Sequence, residues 1–163
     1  MNLSVVIITF NEEANIGRTF ASVQPMIADG KGEIIVVDSG STDRTVEIAK
    51  SFGAKVFVEE WKGFAAQKNS AIAKATGDWI LSLDADEEVS KELAGGLSEG
   101  IAAADSGASP KPFPSNLNGF RLRRRNYFLG HWIKHGGFWP DPKLRLFRRG
   151  TGRFADRAVH EDL

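Results

Sequence analysis

The chain has 163 residues, 42% hydrophobic and 26% charged, enough for one substantial core and ordinary for a globular domain. It has no cysteine, which excludes disulfides and cysteine-ligated zinc, and no apolar run long enough to span a bilayer; the N-terminus also lacks the basic region of a signal peptide. The net charge is zero but unevenly spread: residues 1–107 carry 9 Lys+Arg against 17 Asp+Glu, residues 108–160 carry 12 against 2, and the basic part is suited to phosphate or lipid headgroups.

The first apolar run, Leu3 to Thr9, reads as a strand. Ile16, Phe20 and Val23 then recur at helical spacing, with Asn11 as the expected N-cap. Glu33 to Val37 is a second strand, followed by a helix through Val46, Ala49 and Phe52 that stops at Gly53. Lys55 to Val58 is a third strand, Ala65 to Ala75 a helix ending at Gly77, and Trp79 to Leu83 a fourth strand. Alternation of this kind predicts an α/β fold, a mostly parallel sheet with helices on both faces and right-handed crossovers. A fourth helix is expected over Lys91 to Ala104, weakened by Gly95 and Gly96. The Ser, Pro, Gly and Asn-rich stretch from Asp105 to Gly119 reads as an exposed connection between the acidic and basic parts. Beyond it, Phe120 to Phe128 and Lys143 to Phe147 predict added strands around an aromatic, Gly-rich segment, His131 to Pro142.

In open parallel sheets, ligands bind outside the carboxyl ends of the strands. Three polar clusters fall there: Thr9 to Glu12, Asp38 to Asp43, and Asp84 to Asp86. If the backbone stays extended, Asp84 and Asp86 point to one side, and two close carboxylates repel unless a cation lies between them. A hard ion, Mg2+ or Mn2+, satisfies both and bridges diphosphate oxygens. The alternative is a solvated strand end, with Glu87 and Glu88 as helix-start charges. Asp38 is either an Asx-turn residue or an acceptor for a base N–H or ribose hydroxyl. Phe10 is either core or a lid on a nucleobase. Trp132, Phe138 and Trp139 around Gly136 and Gly137 form either a sugar-stacking wall or an aromatic minicore. Arg121, Arg123, Arg124 and Arg125 suit a phosphorylated acceptor, an anionic membrane face or a solvated surface.

Several motifs are excluded. An EF-hand loop beginning at Asp84 would place Val89 and Gly95 where Gly and Glu are required. No Walker A sequence occurs, and the first strand–helix turn lacks the Gly-rich dinucleotide fingerprint.

The segments "VVIITFNEE" (Val5 to Glu13), "IIVVDSGSTDRT" (Ile34 to Thr45), "QKNSAIAKATGDWILSLDADE" (Gln67 to Glu87), "GGFWPDPKLRLFRR" (Gly136 to Arg149) and "VHE" (Val159 to Glu161) together resemble the inverting family 2 glycosyltransferases of the GT-A fold. Within that family the chain is most similar to bacterial β-1,4-glucosyltransferases of the lipopolysaccharide core. The resemblance covers nearly the whole chain, read as one domain: residues 1–105 for the nucleotide-sugar and 120–163 for acceptor and catalysis.

The resemblance implies that Thr9, Phe10, Glu12, Asp38, Lys68 and Asp84 bind a nucleotide-sugar donor, UDP-linked such as UDP-glucose. It implies that Asp86 and His160 serve a Mg2+ or Mn2+ ion. Glu161 is the expected catalytic base, with Asp141 the second choice. A cell-envelope glycan or lipid-linked acceptor, a cytoplasmic location at the inner membrane face with peripheral membrane association, and no nucleic-acid partner complete the expectation. Relatives in the family continue past the "VHE" region, so the chain is also expected to be C-terminally truncated.

Three rival readings differ from this one in particular features. A nucleotidyltransferase needs a Gly-rich basic loop after the first strand, which "TFNEEANIG" is not. A haloacid-dehalogenase-like phosphatase carries its D-x-D on the first strand rather than the fourth. A nucleotide-sugar-binding module without turnover differs only in activity.

Overall fold

A computed structural model describes residues 2–106 and 117–155. The elements run β1 (Leu3–Thr9), α1 (Ile16–Ile27), β2 (Gly32–Asp38), α2 (Thr45–Ser51), β3 (Lys55–Val58), α3 (Phe64–Lys74), β4 (Trp79–Asp84) and α4 (Lys91–Ser106). They continue as β5 (Gly119–Arg124), β6 (Tyr127–Phe128), β7 (His131–Trp132) and β8 (Asp141–Arg148). The main sheet has the order β3-β2-β1-β4-β8-β5. β1 to β4 are mutually parallel, and β8 runs antiparallel to both β4 and β5. The expected α/β architecture with added C-terminal strands is what forms.

The strands read as unbroken apolar runs because both faces of the sheet are covered. Alternate residues serve alternate layers. Leu3, Val5, Ile7, Ile34, Val36, Trp79 and Leu81 pack with Phe20, Val23, Ala49, Leu97 and Ile101, from α1, α2 and α4. Val6, Ile35, Val37 and Ile80 turn to the other side, where Ala71 and Ala75 pack with Phe147. Full burial of each large apolar side chain contributes about 1.5–3 kcal/mol. Glycine is needed at position 77, where α3 returns to the sheet, because a Cβ there would stand 2.7 Å from Asn2 O and Ser4 N at the start of β1.

Local differences from the sequence reading have physical causes. Asn11 does not cap α1, which begins at Ile16 with Asn15 in the cap position. Asn11 instead sits at φ 52°, and its side-chain oxygen accepts from Thr42 N at 2.8 Å, so it ties two loops together. Helix α4 extends through Asp105 to Ser106, so the expected connection starts later. Phe120 to Phe128 is not one extended segment: β5 ends at Arg124, and β6 pairs with β7 in a separate hairpin.

Candidate functional site

Parallel register brings the polar clusters to one edge. Thr9 lies opposite Asp38, and Ile8 opposite Asp84, at the carboxyl ends of β1, β2 and β4. β8 runs the other way, so its first residues arrive at the same edge, and β5 ends there with Arg124 opposite Asp141.

The first two loops are laced through side chains. Asn11 N donates to Ser41 Oγ at 2.8 Å, Glu12 N to Thr45 Oγ1 at 2.7 Å, and Arg44 N to Glu13 Oε2 at 2.9 Å. Glu12 accepts from Asn15 Nδ2 at 2.9 Å. Asp38 is buried; its Oδ2 accepts from Gly40 N at 2.9 Å and Ser41 N at 2.8 Å, and its Oδ1 from Ser41 Oγ. Asp38 therefore forms the Asx turn that shapes this rim. Phe10 is 56% exposed at the mouth of the edge and is not a core residue. Ser39 accepts from Gln67 Nε2 at 3.1 Å.

Two atoms here are buried without a hydrogen-bond partner among the described residues, Thr9 Oγ1 and Gln67 Oε1. A buried polar atom without a partner costs about 1–3 kcal/mol. Two of them in a rim crossed by side-chain hydrogen bonds leave acceptors there for a water or a polar ligand.

The cluster at the end of β4 departs from expectation. β4 ends at Asp84, and Ala85 and Asp86 form a turn closed by Glu87 N donating to Asp84 O at 3.1 Å. Asp84 and Asp86 thus do not share one face of an extended strand. The turn is fixed to α1, where the buried Thr19 Oγ1 donates to Ala85 O at 2.7 Å and Ser22 Oγ accepts from Val89 N at 3.0 Å. Asp84 faces inward between two cations: Lys68 Nζ is 3.0 Å from Oδ1 and Arg145 Nη2 is 2.9 Å from Oδ2. Burial alone would push this carboxyl up, but Arg145 and Lys68 outweigh it and hold it below the usual carboxylate range.

Glu87 is not a helix-start charge. Arg145 Nη2 donates to its Oε1 at 2.7 Å, Arg124 approaches at 3.5 Å, and Asp84 N donates to its Oε2 at 3.0 Å. Glu88 stays on the surface, paired with Arg18 at 3.3 Å. Arg145 is buried, and although burial disfavours its charge, Asp84 and Glu87 raise its pKa further. Sequence reasoning missed it. The sequence offers only a cation between Leu144 and Leu146 in a stretch that also carries Lys143 and Arg148, and such a residue reads as solvent-facing until its carboxylate partners are placed beside it.

Asp86 is exposed, and no hydrogen bond or ion pair engages it among the described residues. No group of three His, Cys, Asp or Glu there can hold a metal by itself. A single free carboxylate nevertheless fits a Mg2+ or Mn2+ ion, because such ions are held by one or two carboxylates plus substrate phosphates. Asp141 accepts from Arg124 Nε at 3.0 Å and Nη2 at 2.8 Å. Burial raises its pKa, but the Arg124 bonds prevail and keep it below the ordinary range.

Phe154 is pinned beside this edge, its N and O both bonded to the Asn69 amide at 2.8 and 2.9 Å, with Lys68 Nζ 5.1 Å from the ring centroid. The expected His160 and Glu161 lie outside the described residues. Of the aromatic segment, Trp132 and Trp139 meet edge to face at 5.3 Å beneath Arg125, which is the minicore arrangement, while Phe138 remains exposed. A groove of about 750 Å3 between α1 and α4, lined by Ala21, Pro25, Met26 and Ala94, contains none of the three strand-end clusters.

Comparison with known proteins gives the following. The model of glycosyl transferase family 2 matches residues 4–163. A lipopolysaccharide core biosynthesis glycosyltransferase, LpsC, from Rhizobium meliloti is 34% identical over 99% of this chain and 56% of its own. An uncharacterized glycosyltransferase from Rickettsia bellii is 56% identical over 56% of this chain and 30% of its own. This chain spans about half, or less, of the length of these relatives. Among solved structures, S. aureus TarS residues 1–349 superposes with a TM-score of 0.56 at 22% identity, over 91% of this chain and 47% of that one, a likeness of fold. The mannosyltransferase PcManGT from Pyrobaculum calidifontis, solved with GDP-Man and Mn2+, gives a TM-score of 0.50 at 28% identity, over 59% and 31%.

Proposed function

This chain belongs to glycosyl transferase family 2, and on that premise we propose that it forms the donor-binding part of an enzyme that moves a sugar, with inversion, from a nucleotide-linked donor. The observation that carries the reading is the convergence of Thr9, Asp38, Lys68, Asp84 and Asp86 on one sheet edge, with two partnerless buried oxygens in its rim.

Thr9, Phe10 and Glu12 line the nucleotide side, with the Asp38 turn giving the base its rim. UDP-glucose is the donor proposed. Lys68 and Arg145 hold Asp84 ionised, and in this reading Asp84 meets the ribose. Asp86 and His160 would hold a Mg2+ or Mn2+ ion, which when bound neutralises charge on the departing diphosphate. The acceptor hydroxyl attacks the anomeric carbon, its proton passes to a carboxylate, and the nucleoside diphosphate leaves from the opposite face. Glu161 is the proposed base. Asp141 is less suited, since Arg124 depresses its basicity. A cell-envelope glycan or lipid-linked acceptor is supported by the name of the Rhizobium relative and by the exposed arginines of β5. A cytoplasmic location against the inner membrane face follows from such an acceptor. Peripheral contact with the membrane is part of this reading, and no helix among the described residues is long and apolar enough to cross a membrane.

Calorimetry with UDP and Mn2+ tests the site, with GDP as the competing donor base. Asp86→Ala is expected to weaken metal-dependent UDP binding about tenfold or more while leaving metal-free binding unchanged. Equal affinity of the variant and parent in Mn2+ would remove Asp86 from the metal role.

A further inference from the structure

None of the residues proposed for donor binding lies on the hairpin that follows β5. β6 and β7 pair through Tyr127 with Trp132 and Phe128 with His131. Its base is fixed from several sides. Ile133 N donates to Asn126 O at 2.9 Å, and Asn126 Nδ2 donates to Phe138 O at 3.2 Å. The Arg125 guanidinium lies 4.9 Å from the Trp132 ring and 5.9 Å from Trp139, and Lys134 lies 4.7 Å from Trp132.

The tip is apolar and open. Tyr127, Phe128 and Leu129 are 61%, 66% and 84% exposed. Leu129 and Gly130 form the two-residue turn with φ of 47° and 77°. Such turns require positive φ at both positions, which Asn-Gly fills at low cost. A leucine there adopts the left-handed region that side chains avoid, and also exposes its apolar surface. Neither cost is repaid by a contact among the described residues, and strain held at an exposed tip points to use rather than to folding.

Charge selects the occupant. Between Ser106 and Pro140 the sequence has no Asp or Glu. Arg121 and Arg123 alternate along the exposed side of β5, Arg125 follows in the link to β6, and Lys134 follows the hairpin. A second copy of the chain would set these cations against one another. An anionic bilayer offers the opposite sign at its surface and an apolar layer beneath it.

We propose that the β6–β7 hairpin is a docking wedge for anionic lipid membranes. Phe128 and Leu129 enter the headgroup boundary, Tyr127 sits at the headgroup level, and Arg121, Arg123 and Lys134 face the lipid phosphates. Because β5 ends at the edge that carries Asp84 and Asp141, docking holds that edge toward the bilayer. The proposal rests on the membrane-face location proposed above, and not on the sugar-transfer chemistry.

The test is co-sedimentation with phosphatidylcholine vesicles, with and without about one third phosphatidylglycerol. The chain is expected to bind only the anionic vesicles, and to release as salt rises to about 0.5 M. Leu129→Gly with Phe128→Ser should lower partitioning about tenfold or more. Arg121→Gln and Arg123→Gln should each lower it about fivefold. Leu129→Gly alone relieves the turn, so reduced binding with an unchanged or higher melting temperature separates lost docking from lost folding. Absence of binding to anionic vesicles, equal binding to neutral ones, or binding that Leu129→Gly and Phe128→Ser leave intact overturns the proposal. A dimer in solution that Leu129→Gly abolishes overturns it too, in favour of self-association. Calorimetry with UDP on the same variants should show parent affinity, so failure of donor binding with vesicle binding intact counts against the proposed function alone.

Discussion

Replacing Arg145 by Met removes the cation that Asp84 and Glu87 share while keeping most of the side chain's bulk. Arg145 Nη2 stands 2.9 Å from Asp84 and 2.7 Å from Glu87, and its own side chain is only 10% exposed. At an effective dielectric of about 20, each contact is worth roughly 6 kcal/mol of gross attraction, most of it cancelled by desolvation of the ions. Removing one partner from a buried pair costs about 3–5 kcal/mol. Here Asp84 retains Lys68 at 3.0 Å and Glu87 retains Arg124 at 3.5 Å, and Asp84 is partly open to water. The expected loss at neutral pH is therefore about 2–3 kcal/mol, read as a fall of about 1 M in the urea midpoint.

The pH dependence supplies a second reading. In the parent, Asp84 titrates below its unfolded value, so its contribution is complete above the ordinary carboxylate range and lost as pH falls through the depressed folded value. In the variant, burial meets only one cation and the carboxyl moves back up. The stability gap should be widest near neutrality and shrink below about pH 4. A gap under about 0.5 kcal/mol at neutral pH, or one that widens in acid, would refute the assignment of Arg145 as the counter-ion of this edge.

Two further outcomes follow from the same geometry. Thr9→Val removes a buried hydroxyl that has no partner among the described residues, so it should stabilise the free protein by about 1 kcal/mol and weaken UDP binding; thermal unfolding with and without UDP measures both, and a lower melting temperature or unchanged affinity counts against a ligand-directed hydroxyl. Glu33 is pushed up by burial but carried down to about 2 by Lys55, Thr76 and Ser4, so its contribution is present above about pH 4.5 and lost toward pH 2; Glu33→Gln should cost no more than about 3 kcal/mol at neutral pH and flatten acid unfolding in that window, and parallel acid curves for the two proteins would contradict it.

Much of the candidate edge was legible from the residues. Continuous apolar strands separated by helical spacing gave the parallel sheet, and the sheet put Thr9, Asp38 and Asp84 together. The finer geometry was not legible. Asp84 and Asp86 read as a same-face pair only if the strand continues, and Thr19 and Ser22 of α1 instead hold a turn there. Glu87 read as a helix-start charge because its partners, Arg145 and Arg124, lie 58 and 37 residues further along the chain. Asn11 read as a cap because Asn favours that position, yet the loop after β2 offered it a different partner.

The sequence by itself determined the alternation of elements, and with it the edge at which polar strand ends must meet, because hydrophobic period and turn residues are local properties of the chain. Tertiary structure alone decided which charges neutralise one another. The antiparallel return of β8 delivers Arg145 and Asp141 to an edge otherwise built from the parallel strands. Ion pairing acts over a few ångströms regardless of sequence separation, so Asp84 became a clamped carboxylate and Asp86 a free one only once the chain had folded.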